Sequence, residues 1–186
     1  MRRRLKDNTK VLIVDLEATC WEDKEFQDKN SEVLEIGVVC LDLVTGTIID
    51  KEYYLIKTKS EISPYCTKLT GITQELVDNE GITLQKASKL IRTRFKTKNI
   101  AWGGWGDDYT ELETECDKKN AVFPFSDHYH DIGQHFCWAK GLKRGINLSK
   151  ALTELGLEFK GTPHRALPDA ENTARIFLKV FQGRDL

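Results

Sequence analysis

The sequence lacks a strong excess of one charge and has no long apolar run. Its 186 residues carry a net charge of −1 at pH 7, whereas a protein that grips long duplexes by neutralising phosphates is usually basic. No apolar run approaches the ~20 residues that a membrane-spanning helix needs. We therefore expect no membrane association, and we expect any nucleic-acid role to belong to a local pocket.

The sequence also shows no C-x-x-C pair and no pattern of an export signal. The five cysteines include no C-x-x-C pair and are odd in number, which favours reduced thiols in a cytoplasmic protein over a disulfide framework. The opening "MRRRLK" resembles the start of a signal peptide, but only "VLIV" follows before Asp15, and a signal needs ~7–15 apolar residues. We therefore interpret residues 1–8 as a basic, disordered arm.

Residues 9–186 show no repeat, no low-complexity segment and no linker long enough to divide them, which predicts one domain. Three early apolar runs predict strands, and the last two form a hairpin around Thr45-Gly46. Two later strands are predicted in "NIAWGGW" and "HYHDI", each followed by a helix. The order β-β-β-α-β-α-β-α-α predicts an α/β fold, a mixed five-stranded sheet flanked by helices, with a site at the strand ends.

The first predicted strand ends in two acids, within "KVLIVDLEATCWED". Asp15 and Glu17 point to the same face because side chains alternate along a strand. Two like charges this close repel, and each resists leaving water. A divalent cation that prefers oxygen ligands, Mg²⁺ or Mn²⁺, would relieve both costs. An ordinary pair of surface acids is the alternative at this point.

Two further clusters combine acids with helix starts. In "WGGWGDDY", Asp107 and Asp108 lie where a strand passes into a helix, so either could simply cap the helix. Before the last predicted helix, His164 lies in a loop and Asp169 follows at the helix start. A solvated histidine and a capping aspartate are common at such positions, so neither cluster alone indicates a function.

The three clusters in this order resemble the DEDDh family of 3′–5′ exonucleases, which has an RNase H-like fold. The resemblance covers nearly the whole chain, and "DLEATCWE" is most similar to the Eri/KapD-type branch, which consists mostly of ribonucleases. "LTGITQELVDN" and "HRALPDAENTA" resemble two further segments of the family. The resemblance implies an exoribonuclease that acts on single-stranded RNA 3′ ends or short oligonucleotides and releases nucleoside 5′-monophosphates.

The resemblance also implies catalytic roles. It makes Asp15, Glu17 and Asp169 ligands of two Mg²⁺ or Mn²⁺ ions, together with a middle acid, and it makes His164 the general base. A pair of such ions clamps the scissile phosphate, and a histidine of near-neutral pKa removes the proton of the attacking water. The bound cations would reconcile a net charge of −1 with an anionic substrate.

The identity of the middle acid depends on spacing. The branch pattern places a leucine four residues and a cysteine eight residues after this acid. Leu112 and Cys116 stand at those distances from Asp108, which selects Asp108 as the catalytic ligand. Extra glycine, tryptophan and acidic residues interrupt the pattern here, so Asp107 stays open as the alternative.

If the resemblance holds, the segment after Glu17 lines the pocket of the terminal nucleotide. Backbone groups of Ala18 and Thr19, with the Thr19 hydroxyl, would meet the sugar, and Trp21 would stack on a base. Trp102 and Trp105 flank the second cluster; one of them would belong to the core strand and the other would wall the cleft, and we take Trp105 as the candidate while Trp102 stays open. Ordinary packing at the core or its rim is the alternative for Trp21.

Other functions fit the same pattern. A DNA proofreading or repair exonuclease shares the fold, and an inactive module that binds nucleic acid or a protein partner would keep it without catalysis. The presence of all five expected side chains argues against the inactive module. The stretch "KGLKRG" offers Lys140, Lys143 and Arg144 either as phosphate contacts or as solvated surface charge.

Overall fold

The central sheet has the strand order β3-β2-β1-β4-β5. Its strands are β1 (Lys10–Ala18), β2 (Val33–Asp42), β3 (Thr47–Leu55), β4 (Trp102–Gly104) and β5 (Tyr129–Asp131). Strand β1 pairs antiparallel with β2 and parallel with β4, while β2 and β3 form an antiparallel hairpin. This arrangement confirms the predicted mixed five-stranded sheet.

The structure, a computed structural model, describes residues 9–183. The predicted arm at residues 1–8 lies outside this range, so that prediction stays a prediction. Within the described range no helix is long and apolar enough to cross a membrane. The helices are α1 (Lys24–Asn30), α2 (Pro64–Thr70), α3 (Gln74–Glu80), α4 (Leu84–Phe95), α5 (Asp108–Lys118), α6 (Ile132–Lys140), α7 (Leu148–Glu154) and α8 (Ala166–Phe181).

Helices cover both faces of the sheet, because β1 is apolar on both sides. Leu12 and Val14 face a core that also contains residues of α4 and α5. Val11 and Ile13 face the opposite core, which is built mainly with α8. Asp15 and Glu17 have the same strand parity as Ile13, so they emerge on the α8 side.

The start of α8 lies unusually close to β2. A Cβ atom on Gly37 would lie 2.3 Å from the carbonyl carbon of Ala166, so only glycine permits this approach. Gly37 is the strand partner of Asp15. The glycine therefore brings the first turn of α8 beside the acidic end of β1.

Helix α1 was not predicted from the sequence. Its residues, "KEFQDKN", show no apolar periodicity, so the usual signal for a helix is missing. Asp23 starts the helix by accepting hydrogen bonds from the backbone N–H groups of Glu25 and Phe26. The helix lies directly after the segment that follows Glu17, and it supports that segment.

Candidate active site

The acids of β1 and α8 converge at one edge of the sheet. Ligand oxygens of Asp15, Glu17 and Asp169 lie within 4.8 Å of one another. Asp15 and Glu17 are half-buried at the end of β1, and Asp169 is buried in the first turn of α8. Three carboxylates this close repel one another strongly unless a cation or protons offset their charge.

The pKa values of these three carboxyls are all raised. Burial, and then the charges of Asp108, Asp169 and Glu17, raise the pKa of Asp15 well above its usual range. Burial followed by the charges of Asp169 and Glu35 raises the pKa of Glu17 to about 8. Burial also raises the pKa of Asp169 to about 6, although the charge of His164 opposes that shift.

Asp108 brings a fourth carboxylate to the same place. Burial, and then the charge of Glu111, raise its pKa to about 7. Its Oδ2 atom is buried and has no hydrogen-bond partner within the part of the chain that the structure describes. A Cβ atom on Gly104 would lie 2.0 Å from this oxygen, so the glycine makes room for the carboxylate.

Asp107 and Asp108 differ clearly in their surroundings. Asp107 is exposed at the N-cap position of α5, where its side chain makes no capping hydrogen bond. Asp108 turns inward and contributes to the raised pKa of Asp15. The geometry therefore favours Asp108 as the fourth member, and we name Asp15, Glu17, Asp108 and Asp169 the acid cluster.

His164 lies at the rim of the acid cluster. It is exposed and adopts a left-handed backbone conformation with φ of 60°, which is strained for a residue other than glycine. Backbone groups of His164 and Arg165 hydrogen-bond to the carboxyl of Asp169, and the charge of His164 lowers the pKa of that carboxyl, so His164 lies beside the cluster. An exposed imidazole beside carboxylates can take a proton from a water molecule there.

A buried ion pair holds the loop that carries His164. Arg165 donates to both carboxylate oxygens of Glu35 on β2, at 2.6–3.2 Å. The backbone N–H of Ala166 donates to the same carboxylate at 2.8 Å. Glu35 is 1% exposed, so these bonds compensate a charge that would otherwise be costly to bury. Sequence reasoning missed this pair because its members lie in separate elements.

The predicted sugar contact of Thr19 needs correction. Thr19 is fully buried, and its hydroxyl oxygen accepts a hydrogen bond from the backbone N–H of Glu32 at 3.0 Å. Its own backbone N–H donates to the carbonyl of Glu32, and its carbonyl accepts from Gln27. Thr19 therefore anchors the segment, and because it is fully buried its hydroxyl does not reach a ligand.

Ala18 and Trp21 flank this anchor. The carbonyl of Ala18 lies 3.8 Å from the thiol of Cys66. Trp21 is half-buried, and its ring meets the edge of Phe26 with 5.0 Å between centroids. Phe26 is 47% exposed, so the two rings form an aromatic surface beside the acidic end of β1.

Trp105 is mainly a packing residue. Its ring contacts Phe136 of α6 with 5.6 Å between centroids, and its Nε1–H donates to the carbonyl of Ile146 at 3.0 Å. Trp102, its neighbour in the sequence, is fully buried in the core. Trp105 thus ties the start of α5 to the segment after α6 and leaves only part of its surface for a ligand.

The acid cluster fits a divalent cation. Its donors are carboxylate oxygens from three elements, which are the ligands that hard divalent ions prefer. Within the described residues, the Oδ2 atom of Asp108 has no hydrogen-bond partner, and the pKa values of Asp15 and Asp108 are raised. Both observations indicate that no nearby cation of the protein offsets the negative charge of these carboxylates. Among the main influences on the pKa of Glu17, only the charge of Arg165 lowers it.

Fold and site together define a class. A mixed sheet with β1 at its centre, and carboxylates that meet from β1, α5 and α8, is the arrangement of the RNase H-like exonucleases. Residues 12–177 match the family described as Exonuclease (RNase_T). The chain therefore belongs to the exonuclease family, whose members hydrolyse phosphodiester bonds. The DEDDh members of this fold use divalent metal ions.

Two curated relatives illustrate the similarity. The chain is 30% identical over 196 residues to 3′-5′ exonuclease Snipper of Drosophila melanogaster, covering 91% of this chain and 68% of that protein. It is 29% identical over 184 residues to 3′-5′ exoribonuclease 1 of Rattus norvegicus, covering 92% and 53% respectively. The chain thus spans about half the length of the rat protein.

Solved structures agree with the sequence comparison. The nuclease domain of 3′hExo, a DEDDh family member bound to rAMP, superposes with a TM-score of 0.83 at 27% identity, covering 96% of this chain and 94% of that chain. A 3′-exonuclease that recognises a histone mRNA stem-loop gives a TM-score of 0.82 at 28% identity, covering 94% and 64%. Exonuclease I bound to dT13, with 16% identity and a TM-score of 0.67, shares the fold alone.

Proposed function

We propose that this chain is a 3′–5′ exoribonuclease that removes nucleoside 5′-monophosphates from single-stranded RNA 3′ ends or short oligonucleotides. The convergence of Asp15, Glu17, Asp108 and Asp169 beside an exposed His164 carries the proposal. This set supplies, at one place, the oxygen ligands and the base that metal-assisted hydrolysis of a phosphodiester uses.

The acid cluster would hold two Mg²⁺ or Mn²⁺ ions. Such ions, when bound, activate water and stabilise charge on the phosphate oxygens. Asp15 would hold the centre of the site, because the charges of the other three carboxylates all act on it. Gly37 and Gly104 keep the backbone close enough for α8 and Asp108 to take part.

His164 would act as the general base. It lies beside Asp169 and is open to solvent, so a water molecule can reach it. The Glu35–Arg165 pair positions this loop from below. Removal of a proton from water by a positioned base contributes about 10²–10⁴-fold to a rate.

The terminal nucleotide would lie between the acid cluster and the surface beyond β1. Trp21, supported by Phe26, offers a ring on which a base can stack. Ala18 borders the same space, and Trp105 would contribute the exposed part of its ring. Thr19 would act indirectly, by fixing the segment that carries Ala18 and Trp21.

The choice of RNA over DNA rests on the relatives. The similar rat protein is named an exoribonuclease, and the similar nuclease domain was solved with rAMP. The buried Thr19 hydroxyl removes the side-chain donor that the sequence suggested for the 2′-hydroxyl. Backbone groups of the pocket would therefore make that contact. We also propose a cytoplasmic location, because five cysteines without a C-x-x-C pair are typical of a reducing compartment.

The test compares an all-ribose oligomer with the same oligomer carrying one 2′-deoxy residue at its 3′ end. We expect Mg²⁺-dependent turnover, and kcat/KM about 5–150-fold higher for the ribose end, the usual cost of leaving a polar contact unmade. Equal values, or faster cleavage of the deoxy end, would instead indicate a DNA exonuclease. Binding without turnover in Mg²⁺ or Mn²⁺ would indicate the inactive module.

A further inference from the structure

One segment of the chain has a charge very different from the rest. Residues 132–153 contain no aspartate or glutamate, but they contain four cations: Lys140, Lys143, Arg144 and Lys150. The whole chain has a net charge of −1, so the remainder carries −5. All four cations are exposed, and none takes part in an ion pair with another residue of the described range 9–183. The segment therefore carries a net charge of +4 between Asp131 and Glu154, the acids that bound it in the sequence.

An exposed tryptophan shortly precedes three of these cations in the sequence. Trp138, near the end of α6, is 68% exposed, while the other tryptophans are buried or half-buried. Its ring stacks at a tilt on His135, with 5.4 Å between centroids. So large an apolar ring in water contributes little to folding. We name Trp138, Lys140, Lys143 and Arg144 the basic–aromatic face.

The segment that carries the face is fixed to the core. The backbone N–H of Leu142 donates to the carbonyl of Cys137 at 2.8 Å, and the thiol of Cys137 lies 3.5 Å from the carbonyl of Arg144. Trp105 donates to the carbonyl of Ile146, as described above. A segment held at three points presents its side chains without the full entropic cost of ordering a loop.

Helix α6 leads from the neighbourhood of the acid cluster to the face, which lies at its far end, where Trp138 packs on His135 and His135 contacts Phe181 at the end of α8. Asp131 caps the start of α6 and is the strand partner of Gly104, and its charge contributes to the raised pKa of Asp108. The helix has nine residues and is therefore about 14 Å long. At about 3.4 Å per stacked nucleotide, this length corresponds to roughly four nucleotides. A strand that has its 3′ end in the cluster and follows α6 would therefore reach Trp138 after roughly four nucleotides.

We propose that the basic–aromatic face binds the single-stranded nucleic acid upstream of the terminal nucleotide. The proposal rests on the proposed exonuclease function and adds a second contact for the same strand. Its cations would neutralise backbone phosphates, and Trp138 would stack on a base. This combination of positive charge and an aromatic ring is the usual way to bind a single strand without reading its sequence.

The experiment uses substrate length to isolate the face. Trp138→Ala and the double variant Lys143→Ala/Arg144→Ala are compared with the wild type on a ribo-dinucleotide and a ribo-12-mer. The control Lys86→Ala/Lys89→Ala removes the same charge from exposed positions of α4, on the opposite side of the sheet. Anisotropy of a labelled 12-mer, measured in EDTA, reports binding independently of turnover.

We expect Trp138→Ala to raise KM for the 12-mer about 5–150-fold, the value of one stacked base, with kcat and dinucleotide kinetics unchanged. The double variant should lower the slope of log binding constant against log salt by about 1.4, since each single-strand phosphate contact contributes about 0.7. The α4 control should behave as the wild type.

Two results would overturn the proposal. Equal losses on the dinucleotide and the 12-mer would show that the face acts on the acid cluster and not on the upstream strand. Unchanged anisotropy and kinetics in both variants would show that the face is solvated or serves a protein partner. If the wild type cleaves neither substrate, the proposed function fails, whereas the anisotropy data still decide whether the face binds the strand.

Discussion

Two groups of buried or half-buried acids lie close together in this protein and behave in opposite ways. The acid cluster consists of Asp15, Glu17, Asp108 and Asp169. The second group, which we call the paired acids, consists of Glu32, Glu35 and Glu115. Both groups belong to the same sheet edge and its neighbouring helices. They differ in whether the fold supplies each carboxylate with a cation.

The paired acids each have a partner inside the fold. Lys119 lies 2.8 Å from both Glu32 and Glu115, and Arg165 lies 2.6 Å from Glu35. Burial opposes ionisation of Glu32, but hydrogen bonds from Lys119 and from backbone groups hold its pKa at about 2. In the acid cluster the pKa of Glu17 is about 8 and that of Asp108 about 7. A carboxylate thus has a structural role where the fold supplies a cationic side chain, and it is available to bind a ligand where the fold supplies none.

The largest expected effect comes from breaking the acid cluster. Asp15→Asn should lower kcat in Mg²⁺ by at least about 10²–10³-fold, the scale for removing one group that stabilises a charged transition state. The thermal midpoint in EDTA should hold or rise, because one repelling charge disappears. Steady-state kinetics and thermal melts check both halves. The control Asp117→Asn removes an exposed acid of α5 and should change neither, whereas near wild-type turnover of Asp15→Asn would remove Asp15 from the site.

The next effect separates the base from the ligands. His164→Ala should lower kcat by about 10²–10⁴-fold, while the Mn²⁺ affinity measured by calorimetry stays close to that of the wild type. The acid limb of the pH profile of kcat/KM should also change. An affinity loss as large as the rate loss would make His164 a ligand, and an unchanged acid limb would assign that limb to another group.

A third comparison sharpens the boundary of the acid cluster. Asp108→Ala should cost about 10²-fold or more in kcat, whereas Asp107→Ala should stay within a few-fold of the wild type. Asp108 points inward with an unpaired Oδ2 atom, and Asp107 is exposed. Parallel rate measurements on the two single variants decide the matter, and the reverse ranking would place Asp107 in the site.

Breaking a paired acid should affect stability. Arg165→Met leaves the carboxylate of Glu35 buried with only one backbone donor. Loss of one partner of a buried pair costs about 3–5 kcal/mol, and we expect the lower end because the Arg165 side chain is 27% exposed. Urea unfolding measures this cost. The double variant Glu35→Gln/Arg165→Met should recover part of it, and no recovery would mean that Arg165 stabilises mainly by packing.

The smallest effect concerns pH and metal. The folded pKa values of Glu17, Asp108 and Asp169, about 8, 7 and 6, lie above the unfolded values near 4. The folded state therefore binds more protons, so metal-free stability should fall as pH rises from about 4 to 8. We expect the thermal midpoint in EDTA to drop over this range by less than the sum of the three pKa shifts implies, because neighbouring carboxyls share their protons.

Divalent metal should reverse this trend. Mg²⁺ competes with protons for the acid cluster, so it should raise the thermal midpoint more at pH 8 than at pH 5. The variant Asp15→Asn/Glu17→Gln provides the control, because its midpoint should depend less on both pH and metal. Equal pH dependence in wild type and variant would locate the titrating groups elsewhere.

Much of the fold, and the positions of Asp15, Glu17 and Asp108 in the site, can be predicted from local patterns in the sequence. The apolar run of β1 is buried on both faces, and strand alternation places Asp15 and Glu17 together. The choice of Asp108 has a physical basis as well. Leu112 and Cys116 are buried, and residues four and eight positions before them share their helix face, so Asp108 must turn inward with them.

The remaining features depend on contacts that no local pattern encodes. Glu35 and Arg165 are 130 positions apart, and nothing in either segment indicates the partner. Thr19 looked like a pocket residue because it is polar and follows Glu17, but its hydroxyl accepts a backbone hydrogen bond. Tertiary packing decides whether a polar side chain faces a ligand or anchors its own chain.

The position of Asp169 has a consequence for the time at which activity begins. Asp15 and Asp169 meet in one site although 154 positions separate them, and α8 must dock on β1 and β2 before they do. At 5–20 residues per second, the ribosome adds these positions over roughly 10–30 s. Throughout that interval the growing chain has the first acids but not the last, so the acid cluster is incomplete. Synthesis and docking of α8 are therefore the steps that complete the acid cluster.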